Sequence, residues 1–375
     1  MSGFALPSEA TGVITVDLDA IAANWRALAA LVAPAECGAV VKADAYGLGA
    51  AEVIPTLARA GCRTFFVATA EEACAARVWV PDARLFALDG LLPGSARLLI
   101  AADIAPVLSG LDEIEEWGAL SREAGRRLPT ALHVDSGLNR LGLGGSDVKL
   151  LANEPERIGA LDVRLVMSHL ACADDPNHPL NARQRAAFNR RRASLPAAPA
   201  SLAASDGLML GAPFHFDLVR PGYALYGGQA FRGGATPVNP VVTVAARILQ
   251  VRTVKAGESV GYSGTWVAER KTRVAIVAAG YADGIARGLS ASSKKAGGVV
   301  MVAGQRAPIV GRVSMDLITV DATDVSGDVR RGDLATLIGR GLTIEAMGRA
   351  AGTIGYEVLT RLGTRFARRY VGGGA

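Results

Sequence analysis

Ala39-Val-Val-Lys-Ala-Asp-Ala-Tyr-Gly-Leu-Gly49 is the stretch that decides how the first part of the chain folds. Ala39–Val41 is a short apolar run of the kind found in a strand buried on both faces, Lys42 closes it, and Gly47 and Gly49 allow a tight turn before a helix-like stretch from Ala50. Upstream, Ile21, Trp25, Leu28 and Val32 lie four, three and four residues apart, which puts them on one helical face, and Pro34 ends that helix. Downstream the unit repeats. Further strand candidates are Thr64–Val67, Leu85–Leu88, Ala105–Leu108, Ala131–Val134, Val163–Met167, Ala200–Ala203 and Leu218–Arg220, and Ala39–Lys42 makes them eight. Between them Thr69-Ala-Glu-Glu72 offers a capping-box start, Asp112–Ala124 is acidic first and basic last, and Pro179 suits a first helical turn. Strands separated by helices pair in parallel, and eight such units predict a closed (β/α)8 barrel of the TIM type over residues 12–236. A doubly wound sheet is the competing arrangement.

Near Thr236-Pro-Val-Asn-Pro240 the texture changes to β-branched runs broken by glycine turns. Val241–Val251, Val274–Ala278, Val299–Val302, Ile309–Val313, Leu317–Val320 and Leu334–Ile338 follow with few helical patterns between them, so a mainly β domain is expected over 237–375. Half of the 375 residues are apolar and a fifth are charged, which suits a globular protein with a substantial core. The net charge of +5 comes from scattered cations seldom interleaved with aromatics, so a nucleic-acid partner is not expected, and Arg190-Arg191-Arg192 reads as a solvated helix face. Cys37, Cys62, Cys74 and Cys172 match neither a zinc knuckle nor a redox pair, so no metal is expected. The first dozen residues lack the features of a secretory signal and no apolar run is long enough to span a bilayer, which predicts a cytoplasmic protein without a membrane partner.

Lys42 is oddly placed for an ordinary surface lysine. A side chain at the C-terminal end of a barrel strand points into the active-site mouth, and a partly enclosed amine there is a nucleophile toward carbonyl groups. With a tyrosine and glycines behind it, the segment suits pyridoxal phosphate, whose phosphate needs O–H donors and close backbone approach.

The same eleven residues resemble the cofactor-lysine signature of the alanine racemases. Other blocks of that family follow in order: Val134-Asp-Ser-Gly-Leu-Asn-Arg-Leu-Gly142, Ser168-His-Leu-Ala171, Val219-Arg-Pro-Gly-Tyr-Ala-Leu-Tyr-Gly227, Val260-Gly-Tyr-Ser-Gly-Thr-Trp266, Gly280-Tyr-Ala-Asp-Gly284, Gly311-Arg-Val-Ser-Met-Asp316 and Gly355-Tyr-Glu357. The resemblance runs from about Thr15 to about Phe366 and implies a barrel followed by a β domain. It implies that Lys42 carries the cofactor, that Tyr46, Tyr356, Ser205 and the N–H groups of Gly222 and Tyr223 bind its phosphate, and that Arg220, supported by His169, faces the pyridine nitrogen. An arginine cannot take up the proton of a protonated ring, so the nitrogen stays neutral and the ring is a weak electron sink, which suits moving one proton and little else.

Racemisation needs a base on each face of the planar carbanion. By resemblance Lys42 supplies one and Tyr262 of the partner subunit the other, while a phenol serves as a base near neutrality only beside positive charge or in a hydrogen-bond network. Met315 of the partner subunit and Arg140 would receive the substrate carboxylate, Tyr281 would narrow the entrance, and Asp316 would join the polar network, so a head-to-tail homodimer with shared active sites is implied. The implied function is interconversion of L- and D-alanine, supplying D-alanine for peptidoglycan of the cell wall. A racemase of broader range, for instance acting on serine, a pyridoxal-phosphate-dependent decarboxylase and a non-catalytic cofactor-binding protein stand as alternatives. Three departures from the family pattern stand out. His133 replaces a lysine that many relatives carboxylate to hold the arginine beside it, leaving Asn139 to hold Arg140; Ala204-Ser-Asp206 puts an acid near the phosphate donors; and Ser314 stands where cysteine is common.

Overall fold

The computed structural model describes residues 9–374. They form two compact units, one made of Asp19–Asn239 and the other of the chain up to Leu18 together with Pro240–Gly374.

The second unit is built on strands. β1 (Gly12–Asp17) alternates buried and half-buried positions, the period-two pattern of a strand with one face on a core. It pairs in parallel with a strand at the far end of the chain, Ala367–Val371, and antiparallel with Val242–Val254. The N-terminal strand therefore belongs with the β unit, whereas the sequence reading started the barrel at residue 12; no local pattern reveals a partner more than two hundred residues away.

The barrel comes next in the chain. Its strands are β2 (Glu36–Cys37), β3 (Ala39–Val40), β4 (Thr64–Val67), β5 (Arg84–Ala87), β6 (Ala105–Leu108), β7 (Leu128–His133), β8 (Leu161–Met167), β9 (Ala200–Ser201) and β10 (Leu218–Val219). β3 to β9 form a seven-stranded parallel sheet in sequence order, and β10 pairs in parallel with β2. Arg220 bridges Ala204 just past β9, and Gly38 and Val40 donate to the carbonyls of Val219 and Pro221, so the eighth strand closes the ring. β2 and β3 are one strand interrupted at Gly38, where a Cβ would stand 3.1 Å from the Thr64 carbonyl oxygen and 3.3 Å from that of Val219. The interior is aromatic and aliphatic, with Phe66 and Phe86 stacked at 5.0 Å and both buried. Outside, Ile21, Trp25, Leu28 and Val32 of the helix Leu18–Val32 are buried as their spacing predicts. Each large side chain so buried contributes roughly 1.5–3 kcal/mol.

The remaining strands are β11 (Val242–Val254), β12 (Ser259–Val260), β13 (Trp266–Val267), β14 (Thr272–Val277), β15 (Val299–Val302), β16 (Gln305–Val310), β17 (Ile318–Asp321), β18 (Leu334–Ile338) and β19 (Ala367–Val371). The order β14-β17-β16-β15-β18-β11-β1-β19 is joined by a further pairing of β14 with β11, so the sheet curls back on itself. Val254, Val260, Ala268, Val274 and Val310 form a buried apolar cluster, with Trp266 and Ile276 packed against it. Among the described residues no helix is long and apolar enough to cross a membrane.

Candidate active site

Lys42 does not close a strand. β3 ends at Val40, and Ala43, Asp44, Ala45 and Tyr46 follow with φ of 52°, 55°, 52° and 58°, one turn of left-handed helix built from residues with side chains. Left-handed backbone costs an L-residue about 1–2 kcal/mol, so the turn must be held from outside. Ala45 donates to the Val41 carbonyl, Gly49 to that of Asp44, and the Asp44 carboxylate accepts the N–H of Ala50. Glu72 adds the clamp that fixes the start of the turn. Thr69 caps the helix Ala70–Trp79 through the N–H of Glu72, but the Glu72 carboxylate does not complete the predicted box; it accepts from Ala68 at 2.7 Å and from Ala43 at 2.8 Å. Lys42 is thereby held half-buried at the barrel rim.

The turn delivers Tyr46 inward, where burial pushes its phenol up to about 12 and its ring lies 4.9 Å from that of Tyr226. Tyr226 in turn donates to the Val40 carbonyl at 3.1 Å. Gly222 faces the Tyr46 hydroxyl so closely that a Cβ there would stand 2.5 Å from it. Ser205 Oγ accepts the N–H groups of Gly222 at 3.0 Å and Ala224 at 3.1 Å, and Tyr223 between them is buried. A serine oxygen that accepts twice has its own proton left to donate. The structure thus brings Tyr46, Ser205, Gly222 and Tyr223 together around a place only glycine leaves open, with the Gly222 N–H turned onto Ser205 and the serine proton left to donate, a polar lining that fits a phosphate ester. Burial, and then the charge of Asp174, push the neighbouring Asp206 carboxyl up to about 6.

Arg220 is 3% exposed. It donates to Ser201 Oγ at the end of β9 and, at 2.7 Å, to the Ser168 carbonyl just past β8, and its guanidinium stands over Phe66 with 5.9 Å to the ring centre. Among the described residues no carboxylate touches it. Burial lowers it to about 10, still protonated at neutral pH. His169 Nδ1 lies 3.5 Å from the same guanidinium, and because arginine only donates, that nitrogen presents its lone pair. Burial first, then the charges of Arg220 and Arg140, hold His169 down at about 3, so it is neutral. Burial and the same two arginines hold His133 at about 4, with Ser109 Oγ 3.3 Å from its Nδ1. A neutral imidazole brings Arg140 no negative charge.

Arg140 is exposed, and what is fixed is the backbone of the loop that carries it. Leu143 donates to the His133 carbonyl and Asp135 to that of Leu143, closing the loop at its base. Asp135 Oδ1 then accepts the N–H groups of Gly137, Leu138 and Asn139, each at 3.0 Å. Asn139 takes part through its backbone at φ 55°, and among the described residues its side chain makes no hydrogen bond to Arg140, which corrects the expectation from the sequence.

The family models for the alanine racemase N-terminal domain and C-terminal domain match residues 16–230 and 241–370. The chain belongs to the alanine racemase family. It is 48% identical to the alanine racemase of Methylobacterium nodulans over 96% of both chains, and 44% identical to the biosynthetic alanine racemase of Agrobacterium fabrum over 96% of this chain and 93% of that one. The crystal structure of alanine racemase from Bartonella henselae with covalently bound pyridoxal phosphate superposes with a TM-score of 0.92 at 41% identity, covering 96% of this chain and all of the other.

In this member of the alanine racemase family the other predicted site residues lie in the β unit. Tyr281 donates its N–H to Ser314 and Ala282 donates to Met315, so the loops carrying Tyr281 and Met315 are bound side by side. A Cβ at Gly280 would fall 2.1 Å from the Met315 carbonyl oxygen, so the approach requires glycine. Tyr262 follows β12 and is 71% exposed, while Met315 and Tyr281 are also exposed. Tyr356 sits in the short helix Gly355–Thr360. Two residues that sequence reasoning missed hold these loops. Asp283, buried, accepts the Gly280 N–H at 2.8 Å and both arms of Arg365, whose remaining nitrogen reaches Asp316 at 2.6 Å. Asp283 stands inside the quoted Gly280–Gly284 block, which is a signal of sorts; Arg365 carries none.

Proposed function

We propose that this chain interconverts L-alanine and D-alanine with pyridoxal phosphate held at Lys42, supplying D-alanine for peptidoglycan in the cytoplasm. The observation that carries the reading is Arg220, a buried guanidinium without a carboxylate partner. Burying an unpaired charge costs several kcal/mol, and the charge is kept where an acceptor from outside the chain can meet it. The cofactor, when bound, supplies a carbonyl for amines and a ring that spreads negative charge from the substrate Cα. Arg220, donating to the ring nitrogen, cannot protonate it, and neutral His169 supports Arg220 without competing for a proton. An acidic partner would favour decarboxylation; an arginine favours proton exchange.

Tyr46, Ser205 and the backbone at Gly222 and Tyr223 anchor the phosphate. Arg140 on its Asp135-braced loop orients the substrate carboxylate, assisted by the backbone of Met315 from the partner subunit. Lys42 Nζ exchanges a proton with Cα on one face and the phenol of Tyr262 from the partner subunit does so on the other. The exposure of Tyr262, Tyr281 and Met315 supports a homodimer, since side chains of this kind on display mark an association surface. The domain division follows the same logic, with the barrel as cofactor unit and the β unit as contributor to a neighbour's site.

Incubation of purified protein with L-alanine in heavy water tests the assignment. Deuterium entering at Cα together with loss of optical activity is expected. Release of CO2 instead would establish the decarboxylase, and a bound cofactor with neither event would establish a carrier.

A further inference from the structure

Gln184 lies in the helix Pro179–Arg192, outside every motif discussed above, and is fully buried. A primary amide in such a place is costly unless its polar atoms are matched, and here both ends are. Its Oε1 accepts the Ala171 N–H at 2.9 Å, and its Nε2 donates to the His169 carbonyl at 3.0 Å. The amide therefore spans the segment Ser168–Ala171 like a staple. The same Nε2 lies 3.5 Å from Ser136 Oγ, which shares a 2.7 Å hydrogen bond with Ser168 Oγ, and Gln184 Cγ is the atom nearest to where a Cβ on Gly137 would be, at 3.6 Å.

Two segments meet on this one side chain. The first carries the Ser168 carbonyl and His169, both of which receive Arg220 Nη2. The second is the loop from Asp135 to Leu143, which carries Arg140. We infer that Gln184 is a positioning residue that holds the two arginine-bearing segments of the barrel mouth in register, fixing Arg220 through Ser168 and His169 and fixing the Arg140 loop through Ser136. The consequence for the reaction rests on the function proposed above: a displaced Arg220 no longer keeps the ring nitrogen free of protons, and a displaced Arg140 no longer meets the substrate carboxylate.

The test uses full-length Gln184→Leu, which keeps the volume and removes the hydrogen bonds, and Gln184→Glu, which keeps the acceptor and removes the donor. Asn181→Leu is the control, because Asn181 is a buried amide of the same helix whose side chain donates to the Asp175 carbonyl, away from both segments. Hydrogen exchange on the protein without cofactor is expected to quicken by about tenfold or more in both Gln184 variants, at 168–171 and at 136–139 together, and to stay unchanged there in the control. With pyridoxal phosphate added, the visible absorption band of the Gln184 variants should become pH-dependent between about pH 6 and 9 while the wild-type band does not, with kcat down about tenfold and KM for L-alanine up about threefold. If Gln184→Leu does not fold, Gln184→Glu carries the test. Exchange that quickens at one segment only, or equally in the control, overturns the inference, and so does a wild-type band in folded Gln184 variants. A wild-type protein that neither binds the cofactor nor racemises alanine would sink the proposed function, and the exchange measurement would still decide the role of Gln184.

Discussion

The barrel unit encloses its reactive groups, whereas the β unit displays them. In the barrel, Arg220 and Tyr46 are buried among fixed donors and acceptors, and His169 is held neutral by its surroundings. In the β unit, Tyr262, Met315 and Tyr281 stand exposed, and the loops of Tyr281 and Met315 are tied down from below by Asp283 and Arg365. Enclosure sets protonation states and geometry within one chain. Display on fixed loops gives side chains a set position with nothing over them, which is the arrangement that the site proposed above, completed by a neighbour, requires.

Removing Lys42 breaks the enclosed half outright. Lys42→Ala should lose the visible absorption of a lysine-bound cofactor and lower turnover by about four orders of magnitude or more, read in the same sample by spectroscopy and polarimetry. Tyr262→Phe strikes the displayed half. The cofactor band should persist, because the barrel contains its own donors, while racemisation falls about a thousandfold; persistence of racemisation would break the comparison. Mixing these two inactive variants under conditions of subunit exchange sharpens it. Half of the dimers are then mixed and each has one intact site, so about a quarter of wild-type activity should return if the sites are shared. No recovery after exchange has been demonstrated would place both bases in one chain.

Arg365→Ala should raise KM for alanine severalfold with less change in kcat, because it frees the loops of Tyr281 and Met315 from their common anchor. It also leaves buried Asp283 without its cation, so the melting temperature should fall as well. An unchanged KM in a folded variant would show that the loops hold themselves.

The smallest effect belongs to Asp206 beside the phosphate donors. Its carboxyl is raised from 3.8 to about 6, so its contribution to stability is present in full below the unfolded value and is lost as pH rises through about 6. Asp206→Asn should therefore melt higher than wild type near pH 7.5, on the order of 3 °C, and the gap should close toward pH 4.5. His133 and His169 act in the opposite sense, since their depressed values favour folding above the ordinary histidine range and lose that benefit as pH falls through about 4 and about 3. They are common to both proteins and cancel in the difference. A gap that widens at low pH would reverse the assignment.

Legibility in the sequence follows the same division. The barrel strands show themselves because a strand buried on both faces is a short apolar run between helical patterns, and Lys42 and Arg220 could be named because their segments sit in long motifs, whereas Ser205 was reached only by its position in the family resemblance. The left-handed turn after Lys42 could not be read, since Ala-Asp-Ala-Tyr lacks the glycines that announce such backbone and is held by Glu72 from another helix. The placement of β1 was hidden for a similar reason: its alternation is local, but its partners lie at the other end of the chain. Arg365 and Gln184 were invisible because their importance lies in what they touch, and a lone arginine or glutamine carries no period or spacing.

The turn at Ala43–Tyr46 has an implication for chirality itself. Its backbone is the mirror image of an ordinary helical turn, so at Ala43 and Ala45 the hydrogen and the methyl group are in each other's preferred places. A chain assembled by peptide ligation with D-alanine at exposed Ala43 should fold more stably than the natural one, relieved by one of the two enantiomers that the family is named for interconverting.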